Sequence, residues 1–463
     1  MRTPLGYILL FSGRLTRLSR PTGRFESQDP RTKNQDPGGL FAIILRYTIP
    51  LRYIALRMTL GIVAVAGHAK AQYNSDFMNY SQAGRSIFAN STLEAGSEGL
   101  SNRFADKLAL GGYIDDALKK KSAGHLKAKN NAGVSLNSGI TAFLKGNQKW
   151  DLMIGIRDQE ILNATYTKDE FNLAFYGNQM YQGKTADLSS SSVNALRFQE
   201  IKLGVVFHDS VRKFGVALSL LKGEQLVAFK TGNQSSLYTS ADGSEILFNS
   251  NFNVSRSNPA KTGFSSVNGL GTSADLYYET TYENSLGKKS VFMVNANNLG
   301  FLRWQKSSVQ NSSDSTFRYT GYNIHNLNDL KDSTLKKINS DSLLHKLAHT
   351  RKRAFNTALP ANLVVINKFF FSNRFSLSLG LRYVFAANYR PYIFLEPEFR
   401  RKKFIFGLHT GYGGYARLNV GASVTLHIKD WFLKLGSNSL QGYVIPNSAF
   451  SQGVFCSIAK KLK

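Results

Sequence analysis

Apolar and polar residues alternate along residues 201–221. In the first half the apolar residues stand at odd positions, while Lys202, Gly204 and His208 share the even positions with Val206. After the polar link 209–213 the alternation resumes, with small residues opposite the large apolar ones. A two-residue period is typical of a β-strand, so this stretch predicts an antiparallel hairpin with one apolar face and one small or polar face. The apolar face consists of Ile201, Leu203, Val205, Phe207, Phe214, Val216, Leu218 and Leu220.

The same alternation recurs along most of the chain from residue 131 onward. Many of the segments are about 8–12 residues long, which fits the roughly 9–11 residues of a tilted membrane strand better than the usual strand of a soluble sheet. The pattern therefore predicts an all-β fold, a transmembrane antiparallel β-barrel of about 14 strands. The predicted strands include 134–144, 150–156, 171–175, 201–208, 214–221, 226–231, 246–254, 270–278, 291–304, 375–385, 404–410, 418–428, 431–436 and 454–459.

Two stretches have a helical period instead. Residues 72–130 show apolar residues at helical spacing, such as Leu100, Phe104 and Leu108, and we interpret them as an N-terminal arm or a plug. Residues 324–350 form a second helical pattern between strands, which is a lid, a plug or a simple loop. The barrel itself is predicted for residues 131–463, with the helical insertion near 324–350.

Residues 1–71 are predicted to be an N-terminal extension plus a signal peptide. Three arginines precede the apolar run 58–66, and Ala69-Lys70-Ala71 is a small-x-small cleavage site, so cleavage is expected after Ala71. The apolar run is too short for a spanning helix. Residues 1–39 do not fit a signal peptide and suggest a start codon assigned too far upstream. No cysteine follows the cleavage site, so a lipid anchor is not expected.

Composition supports a barrel and argues against nucleic-acid binding. Only 19% of the 463 residues are charged, against about 25% in a typical soluble domain, while 12% are aromatic. The formal net charge is +28, but residues 1–71 hold 11 Lys or Arg against 3 acidic residues, and the other basic residues are scattered through turns and loops. No nucleic-acid-binding motif accompanies them. Basic residues near strand ends suit the phosphates of a lipid head-group layer.

Candidate chemistry is sparse, and we predict no catalytic, cofactor-binding or metal-binding residues. His345 and His349 have a metal-ligand spacing without a third ligand, and Glu396 and Glu398 are expected to be polar lumen or rim residues. The glycines at 269–274 lie at the start of a strand, which is the wrong context for a dinucleotide site. The glycines at 411–414 predict a hairpin turn. Cys456 is the single cysteine, so no internal disulfide is possible.

Three short motifs carry a resemblance to a known family. They are Leu220-Leu221-Lys222-Gly223, the stretch 269–278 (GLGTSADLYY) and the stretch 298–304 (NLGFLRW). With them the chain resembles the Bacteroidota outer-membrane β-barrel family of uncharacterised function, which is distantly similar to FadL-type hydrophobic-substrate channels and to the PorV-like barrels of type IX secretion. The chain departs from outer-membrane barrels by ending in Lys461-Leu462-Lys463 instead of a terminal aromatic residue. The resemblance implies no catalytic residues.

These observations predict a non-enzymatic, integral outer-membrane barrel. It would be a passive channel for small or hydrophobic solutes or a surface scaffold, in contact with outer-membrane lipid and with a solute or a secretion partner protein. In a channel, residues 73–130 or 324–350 would gate the lumen. The alternative is a secreted soluble β-sandwich or adhesin that binds glycan or protein partners, in which the apolar faces would be buried.

Overall fold

Long alternating segments of the chain pair edge to edge into a closed β-barrel. The computed structural model describes residues 76–285, 287–320 and 349–462. Fourteen strands form the wall in the order β1-β2-β3-β5-β6-β9-β10-β14-β15-β16-β17-β18-β19-β20, all antiparallel, and β20 pairs with β1. The twenty strands of the described residues are β1 (Ser86–Ser97), β2 (Lys129–Lys145), β3 (Trp150–Thr167), β4 (Lys184–Asp187), β5 (Ser192–His208), β6 (Arg212–Thr231), β7 (Ser236–Thr239), β8 (Ile246–Arg256), β9 (Gly269–Glu283), β10 (Lys289–Trp304), β11 (Val309–Tyr319), β12 (His349–Lys352), β13 (Phe355–Ala358), β14 (Asn362–Phe370), β15 (Phe375–Val384), β16 (Arg390–Arg401), β17 (Phe404–Gly414), β18 (Leu418–Ile428), β19 (Trp431–Ser437) and β20 (Ser451–Lys461).

The predicted fold class is confirmed, since the wall is a closed antiparallel barrel of 14 strands. Closure pairs the backbone of every wall strand on both sides, so the barrel itself has no free edge. This arrangement also excludes the β-sandwich of the alternative interpretation, which needs two separate sheets packed face to face.

The barrel begins earlier than the sequence indicated. Strand β1 pairs with β2 along its whole length and with β20 from Ser86 opposite Lys461 to Gly96 opposite Ser451. The predicted boundary at residue 131 is therefore wrong, and part of the predicted arm is the strand that closes the barrel. The alternation was weak because the outward side of β1 carries Ala89, Ser91 and Ala95, with Ile87 and Leu93 as its larger apolar residues.

The two ends of the barrel differ in their connections. At the end where β1 begins and β20 finishes, short turns join the strands, as between Lys145 and Trp150. We call this the turn end. The opposite, loop end carries helices α2 (Asn102–Leu110), α3 (Asp116–His125), α4 (Lys168–Tyr176), a 3₁₀ turn (Asn178–Tyr181) and α5 (Gln441–Val444). Strands β4, β7, β8, β11 and β12 extend the sheet there beyond the wall.

The outer and inner faces of the wall are those that the hairpin pattern predicted. On β5 and β6 the side chains of Ile201, Leu203, Leu218 and Leu220 are exposed on the outside, whereas Lys202 and its neighbours on the other face are buried in the lumen. No helix among the described residues has the length and apolar character needed to cross a membrane.

One predicted strand is a helix. Residues 171–175 lie in α4, which begins with a capping box: the Thr167 hydroxyl accepts a hydrogen bond from the Glu170 N–H, and a Glu170 carboxylate oxygen accepts one from the Thr167 N–H. Phe171 and Phe175, four residues apart, share the helix face that packs against Phe104. The spacing of these aromatic residues fits both periods, and the capping box decides for the helix.

Glu170 makes this cap sensitive to pH. Burial raises the pKa of its carboxyl to about 7, although hydrogen bonds from the Ser191 hydroxyl and the Thr167 N–H oppose the shift. Because the pKa in the folded state lies above the ordinary value, the stabilising contribution is complete at low pH and is lost as the pH rises through about 7. We expect residues 168–176 to exchange backbone hydrogens faster at pH 8.5 than at pH 5.5, relative to Glu170→Gln, whose amide keeps the cap without titrating. Equal pH profiles in the two proteins would contradict this expectation.

Some predicted segments fall outside the described residues. These are the extension and signal peptide at 1–71, residues 72–75, and most of the insertion at 324–350. Its last two residues, His349 and Thr350, are described and begin the short strand β12.

Candidate functional site: the plugged lumen

Helix α1 (Asp76–Ala83) lies inside the barrel. The residues from Asp76 to Tyr80 are buried, and Phe77 is 1% exposed. Phe77, Met78 and Tyr80 belong to an apolar cluster to which the lumenal faces of several wall strands contribute. We therefore call α1 the plug helix.

Small residues of the wall make room for the plug helix. The ring of Phe77 lies over Gly215, where a Cβ atom would come within 2.6 Å of the phenylalanine Cε1. The ring also stacks on Tyr277, the cross-strand neighbour of Gly215, with centroids 5.7 Å apart and planes at 14°. The lumenal face of the β5–β6 hairpin, which carries small residues such as Gly215, is thus the surface against which the plug helix packs.

The first turn of the plug helix is held by charged side chains. The Asp76 carboxylate pairs with Arg157, accepts a hydrogen bond from the Thr141 hydroxyl at 3.0 Å, and lies 3.4 Å from the Lys202 ammonium. These partners come from β2, β3 and β5, so one carboxylate of the plug is tied to three neighbouring strands.

Two more carboxylates complete this charge cluster, which we define as Asp76, Arg157, Glu200, Lys202 and Asp275. Glu200 lies 3.4 Å from Arg157 and 3.3 Å from Lys202, and Asp275 also pairs with Lys202. All five side chains are at most 4% exposed. The two cations therefore serve three buried carboxylates, and the loss of either cation would leave carboxylates unpaired.

The last turn of the plug helix has a second anchor. The Tyr80 hydroxyl donates a 2.6 Å hydrogen bond to the Asp151 carboxylate, which also pairs with Arg85 at 2.7 Å. Both ends of the plug are thus bonded to the wall.

An open cavity of about 780 Å³ lies between the plug helix and the turn end. Met78 and Asn79 of the plug form part of its lining, and the turns after β5 and β14 form part of its mouth. We call this cavity the vestibule.

On the other side of the plug the lumen is nearly filled. A cavity of about 30 Å³, lined by residues such as Gln159, Asn298 and Arg382, has room for about one water molecule. Above it Arg382 pairs with Glu94 at 2.8 Å, and Tyr389 donates to the same carboxylate at 3.2 Å. Within the described residues, these side chains therefore narrow the passage between the loop end and the vestibule.

The structure separates the residues that the sequence singled out. Glu396 and Glu398 face the vestibule, as expected of lumen positions, and pair with Lys434 and Lys368 respectively. His349 lies in strand β12, and His345 is outside the described residues. Residues 269–274 lie within β9, and Gly413 and Gly414, both with positive φ, end β17 at a turn.

Two tryptophans lie in different surroundings. Trp304 is fully buried among residues such as Leu302 and Leu359, whereas Trp431 is partly exposed at the turn end, where Lys460 lies over its ring. Within residues 76–285, 287–320 and 349–462, no three His, Cys, Asp or Glu side chains are grouped so as to hold a metal ion.

The candidate site residues that the sequence did not reveal are those of the plug helix and the charge cluster. The available signal was the charge of Lys202 on the small face of an otherwise apolar hairpin, which marks a lumenal group in need of partners. Glu200 stands two residues before Lys202 on the same face of β5, so the alternation could have revealed it, whereas Asp76 and Asp275 are too far away in the chain for spacing to do so.

A family model matches residues 81–437, more than half of the chain. The chain belongs to DUF5723, a family of unknown function. No curated protein matches the sequence.

Several solved structures are similar to this DUF5723 barrel at low identity. The toluene transporter TodX of Pseudomonas putida has a TM-score of 0.40 and 8% identity, covering 86% of this chain and 96% of that one. The toluene transporter TbuX of Ralstonia pickettii has a TM-score of 0.38 and 11% identity, covering 82% and 90%. The translocator domain of the autotransporter NalP from Neisseria meningitidis has a TM-score of 0.31 and 7% identity, covering 89% and 96%. The evidence that this chain forms a closed barrel is its own strand pairings and not these similarities.

Proposed function

We propose that the chain is an integral outer-membrane barrel that acts as a passive channel for small or hydrophobic solutes, with the plug helix as its gate. The observation that carries the proposal is a plug held by polar side chains inside a closed barrel, above an open cavity. The plug helix is a separate element held by side-chain contacts, so it can shift without breaking the strand pairings of the wall.

The outer surface supports the membrane location. A barrel with lipid on the outside needs an apolar outer face and fully paired strands, and both are present here. Short turns at the end of the described termini and long loops at the other end match the usual orientation, in which the turns face the periplasm. The signal peptide ending at Ala71 remains a prediction, as does the Bacteroidota origin.

The test is to reverse the charge that holds the plug. Asp76→Lys places a third cation beside Arg157 and Lys202, and the broken pairs cost about 3–5 kcal/mol. Since about 1.4 kcal/mol is a factor of ten in an equilibrium, we expect at least a tenfold rise in the rate at which liposomes holding the barrel swell in a small sugar.

The matched control is Asp116→Lys, the same substitution on an exposed side chain of α3 at the loop end. Its swelling rate should equal that of the parent protein. A correctly folded Asp76→Lys barrel that swells no faster than the control would rule out the plug helix as the gate.

The second candidate, a surface scaffold, is favoured by the sheet that extends beyond the wall at the loop end. There β8 and β11 pair over eleven residues, and the exposed Asn249 and Asp314 lie on its polar side. If the protein is a scaffold, Asp76→Lys should leave the rate of liposome swelling unchanged. A secretion partner protein remains a prediction of the sequence.

A further inference from the structure

The inner part of the vestibule has balanced charges, although the lining as a whole is basic. The whole lining contains seven Lys or Arg side chains and four Asp or Glu side chains. Deep inside, three lysines each pair with a glutamate: Lys213 with Glu279 at 2.7 Å, Lys434 with Glu396 at 3.3 Å, and Lys368 with Glu398. These pairs leave the inner part of the vestibule electrically neutral.

The mouth of the vestibule is basic. Lys288, Lys289, Arg374 and Arg400 line it with exposed side chains that have no acidic partner among the residues that the structure describes. Lys289 and Arg400 lie on the lumenal sides of their strands, in line with Val291 and Glu398, which also line the cavity.

Few acidic groups offset these four cations. Asp209 belongs to the mouth, and hydrogen bonds from the N–H groups of Arg212 and Val211 lower the pKa of its carboxyl, so it stays ionised. Glu283 stands nearby at the end of β9, but the turn after β16 adds Lys402 and Lys403. The rim therefore keeps an excess of positive charge.

We propose that the mouth of the vestibule concentrates small anions, those with a carboxylate, sulfonate or phosphate group, and that the channel prefers them to cations. A ring of like charges around a cavity with protein walls focuses the field into the opening and raises the local concentration of counter-ions. The paired glutamates farther in do not repel such an anion. The preference in transport rests on the proposed channel function, whereas the concentration of anions in the vestibule does not.

Charged thiol reagents test the vestibule without requiring transport. In a Cys456→Ser background, Ser376→Cys or Ser378→Cys places a thiol in the vestibule lining. We compare the modification rate by an anionic sulfonatoethyl methanethiosulfonate with that by its cationic trimethylammonium analogue, each divided by its rate with a free thiol. The expected ratio favours the anion by about tenfold at low salt. It should approach one in about 1 M salt, where the Debye length is about 3 Å.

Neutralising the mouth should remove the preference. The variant Lys288→Gln, Lys289→Gln, Arg374→Gln and Arg400→Gln is expected to bring the ratio to about one, and Arg400→Gln alone to lower it in part. The control replaces Lys119, Lys120 and Lys121 with Gln at the loop end and should change nothing. Heat-modifiable gel migration checks that each barrel is folded.

Three results would overturn the proposal: a ratio of one or less in the parent, a ratio unchanged by the four substitutions, or no reaction of either cysteine with either reagent. An anion preference without any solute flux would instead count against the channel and leave the vestibule as proposed.

Discussion

Lys202→Met is expected to destabilise the barrel by about 3–5 kcal/mol, among the largest effects of any single substitution in the chain. The ammonium group of Lys202 is buried between the carboxylates of Asp76, Glu200 and Asp275. Methionine fills nearly the same space but leaves three buried carboxylates with Arg157 as the cation of the cluster. The measurement is the urea midpoint of unfolding in lipid vesicles, read from the loss of heat-modifiable gel migration.

Lys213→Met is the matched control. It removes a lysine from the neighbouring strand, but Lys213 has one acidic partner, Glu279, and its side chain is 27% exposed. Because the Lys213 side chain is partly open to water and the Tyr277 hydroxyl also donates a hydrogen bond to Glu279, we expect a smaller loss of stability, so the two midpoints should differ clearly. If both variants unfold at the same urea concentration, the charge cluster does not stabilise the barrel as described.

The barrel could be predicted from the sequence because its wall obeys one local rule. Each residue of a wall strand faces either the outside or the lumen, so strands such as 201–207 and 375–385 carry the two-residue period in full. Strand length led to the prediction that the barrel lies in a membrane, because segments of this length exceed the strands of ordinary sheets. The predicted number of strands agrees with the wall, but the two sets differ. Residues 226–231 continue β6 and residues 246–254 lie in β8 beyond the wall, whereas the predicted segments did not include β1, β14 or β16.

The rule failed where one face lacks large apolar residues or where another signal competes. Strand β1 was hidden by small side chains on its outer face, and α4 was assigned as a strand because its aromatic residues fit both periods. The Thr167 and Glu170 capping box was present in the sequence and identifies the helix start. A capping box is specific to a helix start, so it outweighs an aromatic spacing that fits both a helix and a strand.

The candidate site could be predicted only in outline. A plug was one interpretation of residues 72–130, and α1 within that range does occupy the lumen. Its contacts could not be derived, because the charge cluster joins residues from four separate parts of the chain. The sequence does indicate where the plug helix packs, because Gly215 and Ala217 are small residues on the lumenal face of β6 and leave room for it.

Leu218→Arg is expected to destabilise the barrel in a bilayer by about 2–4 kcal/mol, because an arginine at mid-depth of the lipid face must leave water. Leu218 is 67% exposed and stands between Val216 and Leu220 on the outer face of β6, within the apolar stretch that begins at Phe214. If water covered this face, the same substitution would cost almost nothing, since exposed positions tolerate charge. The measurement is the free energy of unfolding in urea, determined in lipid vesicles.

The control for the lipid face is Leu110→Arg, the same substitution at a leucine that is 60% exposed at the end of α2, at the loop end. Its free energy of unfolding should match that of the parent protein within about 0.5 kcal/mol. Because the two leucines are nearly equally exposed, a difference between the variants depends on what covers each of them rather than on lost packing. Equal stabilities would mean that the face of Ile201, Leu203, Leu218 and Leu220 is in water, and the membrane location proposed here would then be wrong.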